Sequence, residues 1–509
     1  MTRMYSRYGN PKAAEEGLLE FAKRFSSETA VNFMGPVCET LAGRGRGIFV
    51  SPRVVMLCLS YLDTAIEQKK TWQALKPHLN FVVFDVCFDV LKMTQDDIEL
   101  LENDPHEYIA RGNDLMSEFV DPRTMAVTLV EDLVNFRTAS VAKVLMEFLH
   151  GKIANYATTQ DHLSYDAALL ILGSLSKFLK KSKNKFDAGL PGMIMSHVVP
   201  QFGNPLGFVR ARSLWVTSMY YDLPFGADQF RTVVEGVLLR LSDPCLPVQV
   251  EAGKALQFLI QVPGTDNLLL PVLPRILDEY FRIMREIGND DVLTALDIIV
   301  ERFGDEIQPH AVRLVSNLCG AFVQYCDCGD DEDMEAASAA MQSLECISTV
   351  LRVVQDDEGI FRQCEPNLLP VIAKILDKSG ENVDNLEHAL DLITFLTYFQ
   401  SSFSPGLWST FPMIFVAFHE YAFDYVSLMA TPIDNFVVKD FATFCNSTTA
   451  QGVKYVDLLF GMVKKVVEAG ESVEESEVRK ALSLFCSVFH TASQRPECKL
   501  PTKRLGIAI

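Results

Sequence analysis

The sequence predicts an all-α fold, an α-α superhelix in which helix pairs of the HEAT/armadillo type follow one another as a solenoid. Three observations lead there. First, Asp243-Pro244-Cys245-Leu246-Pro247-Val248-Gln249-Val250-Glu251-Ala252 reads as a tight turn opening an amphipathic helix. Asp-Pro stops the preceding helix, because proline lacks an N–H and pushes the residue before it out of the α region. Val248, Ala252, Ala255, Leu256 and Leu259 then fall at i, i+4, i+7, i+8 and i+11, an apolar stripe. Second, variants of this turn-plus-helix unit recur along the chain. Third, no run of alternating apolar and polar residues is long enough to make a sheet.

Taken in order, the helical segments fall at about 12–30, 52–70, 79–92, 105–119, 122–136, 138–156, 163–181, 190–202 and 206–221. They continue at about 227–241, 246–262, 268–287, 290–303, 307–326, 333–354, 366–377, 383–400, 405–421, 424–444, 451–469 and 474–492. Leu344, Ile347, Leu351 and Val354 repeat the helical spacing. Gly288-Asn289-Asp290 stops one helix before another that begins near Val292, and Pro309 and Pro366 are placed at helix starts. Pairing consecutive helices gives a repeat of roughly 40–47 residues, the period of HEAT and armadillo arrays. Ala42–Val50 and Asp327–Met334 are the softest spots, but neither is a linker. Residues 1–509 are therefore expected to form one continuous solenoid.

Charge and composition narrow the function. Across 509 residues, 46 Lys+Arg stand against 66 Asp+Glu, a formal net charge of -20. Such a chain repels phosphate backbones and anionic lipid, so direct nucleic-acid binding is not expected and basic protein partners are favoured. The most apolar stretches, Ala167–Leu175 and Phe81–Leu91, fall far short of the roughly 18 residues a membrane span needs. Membrane insertion is not expected. The 12 cysteines form no C-x-x-C pair, and Cys326-Asp327-Cys328 has no histidine at zinc-ligand spacing. They read as reduced, mostly buried thiols of a cytosolic or nuclear protein. Phosphate-loop, dinucleotide, nucleophile-elbow and zinc-protease signatures are all missing, so neither catalysis nor a cofactor is expected.

A few charged and aromatic clusters stand out. Asp330, Asp331, Glu332, Asp333 and Glu335 put five carboxylates in six positions. They serve either as a solvated connection or as a contact for Lys/Arg-rich segments. Asp96-Asp97 and Asp290-Asp291 are read as turn residues that cap helices. Lys180 to Lys185 is the one basic cluster, suited to a helix C-terminus or, in a sharper reading, to nuclear localisation. Phe395, Tyr398, Phe399, Phe403, Phe411, Phe415, Phe418, Tyr421 and Phe423 crowd one region and read chiefly as core.

Several segments together resemble the importin-β superfamily of transport receptors. Asp104, Pro105, Glu107, Tyr108 and Ile109 match its D-P-x-E-Y-I signature. His197–Phe202 and Leu206–Val216, with Arg210, Arg212 and Trp215, look like a later repeat of the importin-seven/importin-eight branch. So do Pro247–Ala252, Glu286–Asp291 with Asp290 and Asp291, and Thr71–His78. The resemblance implies a nuclear import receptor that works without catalysis. It also implies Ran-GTP, phenylalanine-glycine nucleoporins, basic cargo such as histones or ribosomal proteins, and importin-β as co-receptor. Residence in cytoplasm and nucleus, with passage through the pore, goes with it. Tyr8-Gly9-Asn10-Pro11 resembles the segment that follows the family's first repeats. The sequence is thus expected to be the middle of a receptor, without the N-terminal repeats that make the main Ran contact. The alternative expectation is a HEAT-repeat scaffold within a larger assembly.

Overall fold

The computed structural model describes residues 4–5, 8, 16–113, 121–181, 186–328, 334–377, 385–470 and 473–495. Helix accounts for 84%, which leaves room for little besides turns. The one extended pairing among the described residues is an isolated bridge between Thr448 and Lys454. The fold is an all-α solenoid of the HEAT type. Its residues gather into two compact units, Met1–Ile283 and Met284–Ile509.

In the first unit, α1 (Ala30–Gly45) ends in a turn that only glycine takes without strain. Gly47 has φ of 79°, and its amide reaches the Arg44 carbonyl at 3.0 Å. Pro52 opens α2 (Pro52–Glu67), whose Val55, Leu59, Leu62 and Ile66 are buried at helical spacing. Next come α3 (Gln95–Asn103), α4 (Pro105–Asn113) and α5 (Pro122–Phe136), the last packed along α2. The Asp121 carboxylate takes the Arg123 and Thr124 amides, each at 3.1 Å, and fixes where α5 starts. The unit continues through α6 (Thr138–Ala154), α7 (His162–Ser174), α8 (Gly207–Met219), α9 (Ala227–Arg240), α10 (Leu246–Leu259) and the part of α11 (Leu273–Glu286) up to Ile283, the rest of α11 belonging to the second unit.

The second unit runs through α12 (Asp290–Arg302), α13 (Ala311–Cys328), α14 (Met334–Val353) and α15 (Glu358–Ile375). It closes with α16 (Leu386–Phe399), α17 (Pro405–Glu420), α18 (Val426–Lys439), α19 (Tyr455–Ala469) and α20 (Glu475–Gln494). Helices pack on their chain neighbours and on the next but one, as in α13 against α14 and α15. That is the contact pattern of stacked helix pairs.

Buried tyrosines tie adjacent layers together. The hydroxyls of Tyr165, Tyr220 and Tyr280 donate to the carbonyls of His197, Leu172 and Gly253 at 2.7, 2.6 and 2.9 Å. Tyr325 does the same to Met284 at 2.9 Å. Each ring fills apolar space while its one donor satisfies a backbone acceptor, so burial carries no unpaired polar group.

Four expectations are corrected. Helices occupy 30–45 and 95–103, stretches the periodicity left open; Thr94 and Asp97 start the second with a reciprocal capping box. Asp96-Asp97 and Asp290-Asp291 lie inside first helical turns rather than in the turns before them, where they still meet the positive end of the helix dipole. Pro366 does not start a helix: α15 begins at Glu358 and carries both Pro366 and Pro370 inside it. Asp357 caps the Ile360 amide at 3.2 Å, and Ile360, Phe361 and Cys364 are already buried, so packing carries the helix across the prolines. Lastly, α10 buries every residue from Leu246 to Val250, which is wider than one apolar stripe.

Candidate functional site

Two of the family-motif residues, Arg210 and Arg212, bind buried carboxylates in the first unit. Asp166 on α7 is 1% exposed and accepts Arg123 of α5 at 2.7 Å and Arg212 of α8 at 2.9 Å. Three successive layers therefore meet at one carboxylate. Trp215 lies under the Arg212 guanidinium, 5.1 Å from carbon to ring centroid. A Cβ on Gly173 would stand 2.2 Å from the Trp215 ring, so a residue without a side chain is required there. Tyr108 shares this corner: burial pushes its phenol up, and Arg212, Asp166, Arg123 and Glu251 all act on it. Asp104 receives the Glu107 amide at 3.1 Å, Pro105 takes the first position of α4, and Glu107 pairs with Arg111 at 2.7 Å. The D-P-x-E-Y-I signature is thus a helix start that aims a tyrosine at the ion-pair corner.

A second hub lies one layer on. Asp243, 2% exposed, is gripped by Arg210 through two bonds of 2.6 and 2.9 Å, and by Arg240 at 3.0 Å. The remaining Arg210 nitrogen donates to the Asn204 and Pro205 carbonyls at 2.7 and 3.0 Å. Gln249 donates to the Asp243 carbonyl, and Arg282 bonds Gln249 at 3.0 Å. The turn at Asp243 is therefore a knot of charge-assisted bonds, more than a stop signal.

Cations also close helix ends across layers. Arg137 donates to the Ile66 and Glu67 carbonyls at 2.9 and 3.2 Å, Arg123 to Leu91 at 3.0 Å, and Arg282 to Leu241 at 2.8 Å. In the second unit, Lys439 reaches Gln400 at 3.2 Å and Arg495 reaches Val438 at 3.0 Å. Each acceptor lies at a helix C-terminus, where carbonyls lack partners and the dipole is negative. Lys180 belongs to the same class, bonding the Met219 carbonyl at 3.2 Å and Asp222 at 2.7 Å. Residues 182–185 of that basic cluster lie outside the described residues.

Asp290 accepts the Ser338 hydroxyl at 2.9 Å, joining α12 to α14, and Asp291 is exposed in the same first turn. Three buried acids were passed over in the sequence: Asp166 of the first hub, and Glu365 and Glu477 in the second unit. Glu365 takes Gln400 at 3.0 Å together with the Ser404 hydroxyl, and Glu477 takes the Ser427 amide at 2.6 Å. Each fixes the start of a neighbouring helix, and no local pattern announces it. Asp330, Asp331, Glu332 and Asp333 lie outside the described residues, as does the side chain of Glu335. The aromatic region divides: Phe411, Phe415 and Phe418 are fully buried, while Tyr398 is 60% exposed. Burial pushes up the carboxyl groups of Asp63, Glu131 and Asp132 in one unit and of Asp297 and Asp391 in the other. Among the described residues, no three His, Cys, Asp or Glu side chains could hold a metal ion, and no helix is long and apolar enough to cross a membrane.

Known proteins are similar to this chain in sequence and fold. The Cse1 family model matches residues 52–185, the stretch that contains Arg123 and Asp166. The importin beta-like SAD2 homolog of Arabidopsis thaliana is 30% identical over 500 residues, covering 96% of this chain and 48% of the relative. The chain belongs to the importin-β superfamily. Human importin-8 is also 30% identical, over 93% of this chain and 45% of its own length. Among solved structures, the exportin Cse1 in its cargo-free, cytoplasmic state superposes with a TM-score of 0.70 at 12% identity, over 97% of this chain and 51% of that one. The chain spans about half the length of the curated importin relatives it matches. Of the charged motif residues, Arg210 and Arg212 join layers through buried aspartates and Asp290 bonds Ser338 of a neighbouring helix, whereas Glu107 pairs with Arg111 on its own helix and Asp291 is exposed.

Proposed function

We propose that this chain is the repeat body of a nuclear transport receptor that carries basic proteins, such as histones or ribosomal proteins, into the nucleus in a Ran-dependent cycle. The observation that carries this reading is the alignment with importin relatives over 96% of the chain. The net charge of -20 supports the class of cargo, since an acidic surface draws in Lys/Arg-rich segments and repels nucleic acid. A solenoid suits the task, because many small inter-layer contacts let two ligands favour different curvatures and weaken each other's binding. In this reading the repeats work as one continuous array and move between cytoplasm and nucleus through the pore. Partners are Ran-GTP, phenylalanine-glycine nucleoporins and importin-β as co-receptor. The acidic residues Asp330, Asp331, Glu332, Asp333 and Glu335 are part of the cargo contact.

The test is a binding series with the recombinant chain: core histones, Ran-GTP and phenylalanine-glycine peptides, each followed by fluorescence anisotropy. Capture of histones, with release on adding Ran-GTP, is the expected result. Cargo bound only together with Ran-GTP would reverse the direction to export. Indifference to all three ligands would leave a HEAT-repeat scaffold as the reading.

A further inference from the structure

From Thr40 to Leu62 the chain carries three charged residues, Arg44, Arg46 and Arg53, and no carboxylate. They are spaced too widely to form a run in the sequence, but the fold sets them at the two ends of one short connection. α1 ends in a Schellman motif: the Ile48 amide reaches the Gly43 carbonyl and the Gly47 amide the Arg44 carbonyl, each at 3.0 Å. At the far end Ser51 is extended, with φ of -60° and ψ of 148°, and Pro52 opens α2. The connection is therefore fixed at both ends. Between them Phe49 is 87% exposed, more than any other large hydrophobic side chain among the described residues, and Ile48 is 58% exposed. Val54 and Leu57, on the first turns of α2, are exposed as well. Arg44 is 3.5 Å from Asp89 and Arg46 is 3.4 Å from Glu39, and all four side chains are 40% exposed or more. Such pairs hold little energy and open readily. Asp89 is also shared with Lys92, at 3.6 Å. Among the described residues, the exposed Arg53 has no ion-pair partner, and the exposed Asp85 pairs with none of these cations. Arg44, Arg46, Arg53 and Lys92 thus outnumber Glu39, Asp85 and Asp89, in a chain whose net charge is -20.

We propose that the connection between α1 and α2 is a docking site for an acidic, extended segment of a partner protein that also carries apolar side chains. Carboxylates of the partner take the place of Glu39 and Asp89 on the arginines, and its apolar side chains cover Phe49 and Ile48. Guanidinium groups can grip carboxylates through two parallel bonds, which strengthen as the contact loses water. Aromatic side chains and arginine are enriched at protein interfaces, and lysine is depleted. A turn already fixed by its own hydrogen bonds loses little freedom on binding. The partner is a protein rather than a nucleic acid, because a phosphate backbone running past the loop would meet the negative charge of the rest of the chain. A short acidic segment needs only the loop. This ligand is opposite in charge to the basic cargo proposed above and does not depend on it.

Fluorescence anisotropy of the whole chain with a labelled peptide of repeated Glu-Glu-Leu units tests this, beside a Gln-Gln-Leu peptide and a single-stranded oligonucleotide. The acidic peptide should bind, more weakly as salt rises, and ~10-fold or more tighter than the neutral one. Arg46→Glu combined with Arg53→Glu should weaken it by ~10-fold or more and flatten the salt dependence. Phe49→Ser should weaken it by ~10-fold and leave the salt dependence in place. All three positions are exposed, so the thermal midpoint should not move, which separates lost docking from lost folding. No binding by the wild-type chain, equal binding of the neutral peptide, or unchanged affinity in both variants would each overturn the site. So would two other results: the oligonucleotide bound in preference to the peptide at the same salt, or self-association in sedimentation that Phe49→Ser abolishes. The loop would then hold nucleic acid or a second copy of the chain.

Discussion

Asp243 and Arg210 form a short, two-bond charged contact in the first unit, at 2.6 and 2.9 Å, with the aspartate 2% exposed. Taking two charges out of water is costly, and the geometry offsets that cost only while both partners are present. Arg210→Ala leaves the Asp243 carboxylate with Arg240 and the Cys245 amide and removes its two-bond partner, so a loss of ~3–5 kcal/mol in urea unfolding is expected. Replacing both partners by apolar residues, as in Arg210→Met with Asp243→Leu, should recover most of it. Both residues stood out in the sequence, Asp243 as a turn signal and Arg210 as part of a motif. Their pairing did not, because no helical or strand period links positions 33 apart.

At the scale of the element, α10 shows how packing overrules pattern. The apolar stripe through Val248, Ala252, Ala255 and Leu259 predicted one buried face, and all four are buried. Val250 lies off that stripe, yet it is 2% exposed. It is covered because α10 is enclosed by α8 on one side and α9 on another. Val250→Asp puts an unpaired carboxylate between helices and should cost ~2–5 kcal/mol, read as a fall in denaturant midpoint. The same enclosure explains α15. A lone helix would start after Pro366, but Phe361 and Cys364, both fully buried, hold the preceding turns in place.

For the whole molecule, charge distribution matters more than any single residue. Arg123, Arg137, Arg282 and Arg495 are engaged on helix-end carbonyls, Arg123 also on a buried aspartate, within a chain whose formal net charge is -20. Neutralising Asp330, Asp331, Glu332 and Asp333 to Asn or Gln should weaken histone binding and flatten its dependence on salt in a titration of affinity against ionic strength. Unchanged affinity at low salt would make that segment a solvated connection and nothing more.

By itself the sequence determined the all-α class, most helix boundaries, the family and the acidic balance. These follow from local causes: apolar period, proline and glycine stops, capping side chains and summed charge. Tertiary structure alone decided which charges are buried together, that Pro366 is helical, and that Arg123 and Arg212 meet at Asp166. Such facts depend on side chains tens of residues apart arriving at one place. The motif residues Arg210, Arg212 and Trp215 lie between the two cases, visible as a pattern in the chain but intelligible only as the frame between stacked helices.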